Sequence, residues 1–169
     1  MTPTFTIRRA VPADRDGLCV HVKALATHHG YAPTSITTSN VEAHFLAPDL
    51  PMVVLVAKAP DGSLAGYAAA SPTQESGYAS QGFYLSDLHV DVAYRKAGIG
   101  RALLAAMAAE TKRAGRQHLW WGVDATNEAA EKWYRTIANV RVPSIVFALT
   151  LDPFEALAAE GERHLDREA

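Results

Sequence analysis

The sequence predicts an α/β fold built on a central mixed sheet of six to seven strands flanked by helices. Three observations lead there. Residues 52–57, Met-Val-Val-Leu-Val-Ala, are a continuous apolar run of the kind a buried strand requires. Pro60-Asp61-Gly62-Ser63 then turns the chain, and residues 64–70 return as its antiparallel partner. From residue 83 onward strand and helix patterns alternate, and strand–helix–strand units at this spacing imply parallel pairing.

The elements follow in order. Residues 4–9 alternate as a short strand. Pro12-Ala13-Asp14 opens a helix with Leu18, Val22 and Leu25 on one face, ending near His28-His29-Gly30. Residues 31–38 are polar and contain proline, hence a loop. Ser39, with Glu42 three residues later, reads as a capping box for a short helix through Leu46. Residues 71–82 read as a surface loop. There follow a strand at 83–90, a helix at 98–114, a strand at 117–123, a helix at 127–137 and a strand at 144–151. Asp152-Pro153-Phe154-Glu155 is a strong start for an appended C-terminal helix over 153–161, with Phe154, Leu157 and Ala158 on one face. A charged tail, 162–169, completes a single expected domain over 1–169 whose core spans about 4–151.

With 169 residues, 49% apolar and 20% charged, the chain has the composition of one globular core. A net charge of −2 gives no general attraction to nucleic acid or to an anionic membrane, so neither partner is expected. Cys19 is alone, which excludes an intramolecular disulfide and a thiolate zinc cluster, and it falls on the apolar face of its helix. His21 and His28 can share a helix face, but no carboxylate or cysteine completes a metal-ligand set, so no metal is expected. The N-terminus lacks the apolar run of a signal peptide and no stretch approaches a membrane span, so a soluble cytoplasmic protein is expected.

The chemistry concentrates where Leu85-Ser86-Asp87-Leu88-His89-Val90 leads through Arg95-Lys96-Ala97-Gly98-Ile99-Gly100-Arg101 into an alanine-rich helix. A helix start leaves backbone N–H groups unpaired and carries roughly half a positive charge. Gly98 and Gly100 let an anion approach those amides, and Arg95 and Arg101 bracket the turn with further donors. The pattern reads as capture of a phosphate or pyrophosphate, against the alternative of an ordinary turn with flexible glycines. A P-loop is excluded because no Gly-Lys-Ser/Thr follows, and Leu103 stands where a dinucleotide fingerprint needs a third glycine.

Arg95-x-x-Gly98-x-Gly100 resembles the pyrophosphate loop of the GNAT superfamily of acyl-CoA N-acetyltransferases. Trp120-Trp121-Gly-Val-Asp-Ala-Thr-Asn127-Glu-Ala-Ala130-Glu-Lys-Trp133-Tyr134 resembles that superfamily's next block. The resemblance covers roughly 5–151 and implies the GNAT fold, acetyl-CoA as cofactor, and transfer of the acetyl group to a primary amine of a small molecule by direct attack in a ternary complex. It implies that the cofactor meets the main chains of Leu88, His89 and Val90, the loop residues Arg95, Lys96, Ala97, Gly98, Ile99, Gly100 and Arg101, and then Asn127, Ala130 and Tyr134. Asn127 also suits a helix N-cap on spacing alone, and Trp133 suits the core. Tyr134 would be the acid for the leaving thiolate, its phenol being protonated at neutral pH.

Relatives often carry a glutamate base on the strand before the loop; here Ser86 and Asp87 stand there. Alternation puts Asp87 and His89 on the face opposite Ser86 and Leu88, so Asp87 faces a cleft on the Ser86 side only if a bulge re-aims it. Ser86 can instead orient a water, and His28, His29 and Tyr31 fall in the loop that lines the acceptor pocket in relatives. The layout is most similar to the spermidine/spermine acetyltransferase-like branch. His29 and Ser86 occupy places where a polycation would need carboxylates, which points to a smaller or less charged amine. Lys96 and Ala138 replace common glycines of the family, with Asn139 the expected left-handed residue after the second helix. The resemblance allows a homodimer. Two other activities stay open: a CoA-binding regulatory module without turnover, and acetylation of a protein N-terminus or lysine.

Overall fold

The computed structural model describes residues 5–165; Thr4, at the start of the expected first strand, and residues 166–169 of the expected tail lie outside them. The chain forms two compact units, Met1–Gly122 and Val123–Ala169. The first holds a five-stranded sheet in the order β1-β2-β3-β4-β5, with β1 Thr6–Arg9, β2 Val53–Lys58, β3 Leu64–Glu75, β4 Ser80–Val90 and β5 His118–Trp121. The first four strands pair antiparallel, and β4 pairs β5 in parallel. Helix α1, Arg15–His28, precedes a short α2, Thr38–Val41, and α3, Ile99–Arg113, supplies the crossover between β4 and β5.

Alternation along the strands divides the core into two layers. Val54 and Val56 of β2 and Tyr67 and Ala69 of β3 pack with Leu18, Cys19 and Leu25 of α1 and Val41 of α2. Leu55, Ala57, Ala68, Ala70 and Leu85 fall on the opposite face, together with the buried Ile99, Leu103, Leu104 and Met107 of α3. Small residues dominate β3 because it is central: Gly66 packs so close that a Cβ there would lie 2.5 Å from the His89 carbonyl oxygen. Helix α3 ends at Gly115, whose φ of 70° is the left-handed conformation that glycine adopts freely. Its buried Glu110 pairs with Arg9 of β1 and with Arg113.

Charge anchors the start of α1. Asp14, buried, receives both guanidinium nitrogens of Arg8 at 2.6 and 2.8 Å and the amide of Val11 at 2.9 Å. The hydrogen bond from Arg8 holds this carboxyl below its ordinary value, against the opposing effect of burial.

Several expectations need correction. Among the described residues the sheet has five strands, not six to seven. Residues 144–150 form no strand: they carry a β-type sequence, but Ile145, Val146 and Phe147 are exposed and the segment has no ladder partner among the described residues. Strand propensity is a fit to a paired, half-buried surface, and Pro143 removes a donor at its entry. The expected loop at 71–82 is instead the arms of a hairpin, because β3 continues to Glu75 and β4 begins at Ser80 around a turn that ends at Ala79, φ 48°. The capping residue of the second short helix is Thr37 rather than Ser39. Its hydroxyl accepts from the Asn40 amide, and the helix gives way to a wider turn at Glu42–Leu46.

In the second unit, α4 spans Glu128–Tyr134, shorter than the expected 127–137, and α5 spans Leu151–Gly161. The chain leaves α4 by tight turns in which the amides of Ile137 and Ala138 both donate to the Tyr134 carbonyl. Asn139 is not left-handed, since these bonds close the helix without it.

Replacing Asp14 with Ala should lower stability by about 1–2 kcal/mol at neutral pH, read by urea denaturation. A depressed carboxyl stabilises above the unfolded value of 3.8 and ceases to do so as pH falls through the lower folded value, so the mutational loss should vanish in acid. Gly66→Ala should cost about 1–3 kcal/mol, because backbone rather than a movable side chain meets the new methyl.

Candidate functional site

Two features of β4 shape the site. Ala69 pairs with Asp87 and Ala70 with Leu85, so Ser86 is an unmatched extra residue. In a regular ladder Leu85 and Asp87, two residues apart, would share a face; with the bulge Leu85 is buried on the α3 side while Asp87 and His89 turn to the α1 side, beside Tyr67. Ser86 itself is exposed, its hydroxyl donating to the Ala69 carbonyl at 3.3 Å. The second feature is the end of pairing with β5, which runs only from Gly82 with His118 to Leu85 with Trp121. Beyond it β4 continues five residues with no ladder partner on that edge among the described residues.

The Asp91 amide donates to Ala65 across β3, so in an antiparallel ladder the main chains of Leu88 and Val90 point away from β3, toward the free edge. His89 is directed otherwise. Its main chain faces β3, and its buried ring meets His21 of α1, Nδ1 to Nδ1 at 2.9 Å. The other nitrogen of His21, Nε2, lies 2.9 Å from the Leu64 carbonyl and must donate to it. A single proton then bridges the two Nδ1 atoms. Burial, with help from His21 and Arg95, pulls the His89 pKa down to about 4, so His89 is neutral at working pH.

Below His89 on the same face, the Tyr67 hydroxyl donates to Asp87 Oδ2 at 3.1 Å. Burial raises the Asp87 pKa, opposed by that hydrogen bond and by the nearby His29. Burial, and then the Asp87 charge, push the Tyr67 phenol up. His28 and His29 close α1 with exposed rings 5.7 Å apart, and Tyr31 beyond them is exposed. Among the described residues no group of three His, Cys, Asp or Glu side chains is arranged to hold a metal.

The turn after β4 is built to leave amides open. The Asp91 carboxylate accepts from Ala93 at 2.8 Å, and Arg95 Nε donates to the Val90 carbonyl at 3.1 Å, folding the loop back on the strand. Lys96 and Gly98 are both left-handed, at φ 66° and 84°. The first intrahelical bond closes from the Ala102 amide to the Gly98 carbonyl. Among the described residues no protein group accepts from the amides of Lys96, Ala97, Gly98, Ile99, Gly100 or Arg101. Six unengaged donors around a left-handed turn at a helix start are a fit for a pyrophosphate.

Asn127 caps α4, its Oδ1 accepting from the Ala130 amide at 3.1 Å. The Trp133 and Tyr134 rings lie 4.9 Å apart, both half-buried, and burial raises the Tyr134 pKa.

Tyr67 escaped the sequence reading, and His21 was weighed there only as a metal ligand. The only available signal for Tyr67 was a single large side chain with a polar tip in Gly66-Tyr67-Ala-Ala-Ala, which in a buried strand demands a hydrogen-bond partner. His21 had none, since a lone histidine on an apolar helix face does not reveal a partner far along the chain.

The family profile described as Acetyltransferase (GNAT) family matches residues 20–138. An integron cassette protein from the mobile metagenome of V. cholerae shares the fold at a TM-score of 0.75, with 20% identity over 92% of this chain and 98% of that one. An aminoglycoside acetyltransferase from an uncultured soil metagenomic sample, solved with sisomicin, matches at TM-score 0.74 and 18% identity over 88% and 97%. AAC(6')-Iy, solved with the bisubstrate analogue CoA-S-monomethyl-acetylneamine, matches at 0.73 and 19% over 87% and 98%. No curated protein matches the chain.

Lys96→Gly should raise stability by up to about 1 kcal/mol, since glycine adopts this turn without the Cβ penalty and only part of the gain is lost to unfolded-chain entropy. Equilibrium denaturation of the two proteins measures it.

Proposed function

Since the chain belongs to the GNAT acetyltransferase family, we propose that it transfers the acetyl group of acetyl-CoA to a primary amine of a small molecule by direct attack in a ternary complex. The observation that carries this reading is the row of unengaged amides at 96–101, beside the stretch of β4 that has parted from β5.

Acetyl-CoA supplies an activated acyl group on a thioester; the rest is work for protein groups. Arg95, Lys96, Ala97, Gly98, Ile99, Gly100 and Arg101 hold the pyrophosphate. The outward main chains of Leu88 and Val90 offer hydrogen bonds to the acyl arm, where a donor aimed at growing negative charge is commonly worth about 3 kcal/mol of barrier. Asp87 is the base: its carboxylate is only partly exposed, its proton affinity is raised by burial, and it faces the α1 side, which also carries His28, His29 and Tyr31. Ser86 holds the bulge that turns Asp87 there. Tyr134 is the acid by its place in the second motif, with a phenol that keeps its proton throughout the working range. Asn127 and Ala130 complete the cofactor contacts. His29 and Ser86, where a polyamine pocket would need carboxylates, favour an amine of low charge over spermidine or spermine.

Tyr134→Phe should lower kcat by about 100-fold while coenzyme A affinity, measured by calorimetry, stays within about twofold. The rate should fall as pH drops through a value above the ordinary carboxylate range, because the base must be ionised and burial raises its pKa; Asp87→Asn should abolish that limb. Tight coenzyme A binding with no acceptor-dependent thiol release across an amine panel would instead identify a regulatory module.

A further inference from the structure

We propose that Tyr67 is a positioning residue for Asp87: its buried hydroxyl, 3.1 Å from Oδ2, fixes the carboxylate so that Oδ1 is the oxygen presented to the acceptor amine. The inference rests on the reading of Asp87 as the base.

Tyr67 is fully buried in β3 between Gly66 and Ala68, so its ring is set by packing and its hydroxyl needs an internal partner. Asp87 is that partner, reached from the register-matched position two residues along the ladder. Among the described residues no other donor is hydrogen-bonded to the carboxylate, so one oxygen is taken and the other is left for a ligand. The rings of His21 and His89 stand 6.3 and 6.4 Å from that of Tyr67, and their mutual hydrogen bond keeps both from shifting into its space. The groups acting on Asp87 are thus Tyr67 from β3 and His29 from α1, while His21 and His28 of α1 act on its neighbour along the strand, His89. Asp91 and Arg95 lie further along, at the end of β4, and act on His89.

In the proton transfer an N–H bond of the acceptor's ammonium form breaks toward Oδ1, leaving the neutral amine that attacks. The nitrogen keeps the electron pair, the carboxylate becomes a neutral carboxyl, and Tyr67 retains its own proton. The hydroxyl thus aims the base and holds its proton affinity below what burial alone would set.

The test compares wild type, Tyr67→Phe, Asp87→Asn and the double variant. Carboxyl ¹³C NMR of the ligand-free proteins should show Asp87 titrating at higher pH in Tyr67→Phe, which lacks the donor. In turnover, Tyr67→Phe should lose about tenfold in kcat with acceptor KM little changed, and its acid limb should move to higher pH. The double variant should be no slower than Asp87→Asn. An unmoved Asp87 titration, or a slow Asp87→Asn beside a wild-type Tyr67→Phe, overturns the positioning role alone. A fully active Asp87→Asn overturns the reading of Asp87 as base, and this inference with it. Should Tyr67→Phe fail to fold, wild type still decides. The Tyr67 hydroxyl proton should be a slowly exchanging resonance whose shift follows the Asp87 titration; a freely exchanging hydroxyl overturns the proposal.

Discussion

One extra residue in β4 governs this architecture. Side chains alternate strictly along a strand, so a single unmatched residue reverses the facing of everything beyond it. Ser86 is that residue: Leu85 before it belongs to the α3 layer, whereas Asp87 and His89 after it belong to the α1 layer. Two polar groups are thereby turned into a layer otherwise made of Leu18, Leu25, Val41, Val54 and Val56. Such groups are tolerated only when hydrogen-bonded, and each has its partner, Tyr67 for Asp87 and His21 for His89.

Those partnerships fix how α1 sits on the sheet. His21 spends one nitrogen on the Leu64 carbonyl at the start of β3 and the other on His89 near the end of β4. One proton bridges the two Nδ1 atoms, and burial, by lowering the His89 pKa to about 4, keeps His89 neutral. Apolar packing alone would let a helix slide on its ridges; a directional bond at each ring nitrogen does not. The free end of α1, with His28 and His29, is held near Asp87 by the same contacts.

The other consequence concerns backbone groups. Where β4 runs on without β5, the main chain of Leu88 and the amide of Val90, which a sheet would consume, stay open among the described residues, while the Val90 carbonyl accepts from Arg95. The left-handed residues Lys96 and Gly98 then splay six further amides at the head of α3. Burial of Ile99 and Leu103, the Asp91 turn and the Arg95 bond to Val90 over-determine this strained loop.

Sequence alone determined the features that local chemistry controls. The β2 run was legible from its valines, the α3 start from Gly98 and Gly100, and the α4 cap from Asn127, because each depends on residues within a turn or two of one another. The family followed from two such local motifs in the right order. Tertiary structure decided whatever needed distant partners: the bulge at Ser86 is a mismatch between strands, and no single strand announces it. The Tyr67–Asp87 and His21–His89 bonds join positions 20 and 68 residues apart, which spacing within one element cannot encode. The strand expected at 144–151 failed for the same reason, since alternation supplies a face while only a neighbouring chain segment supplies the ladder.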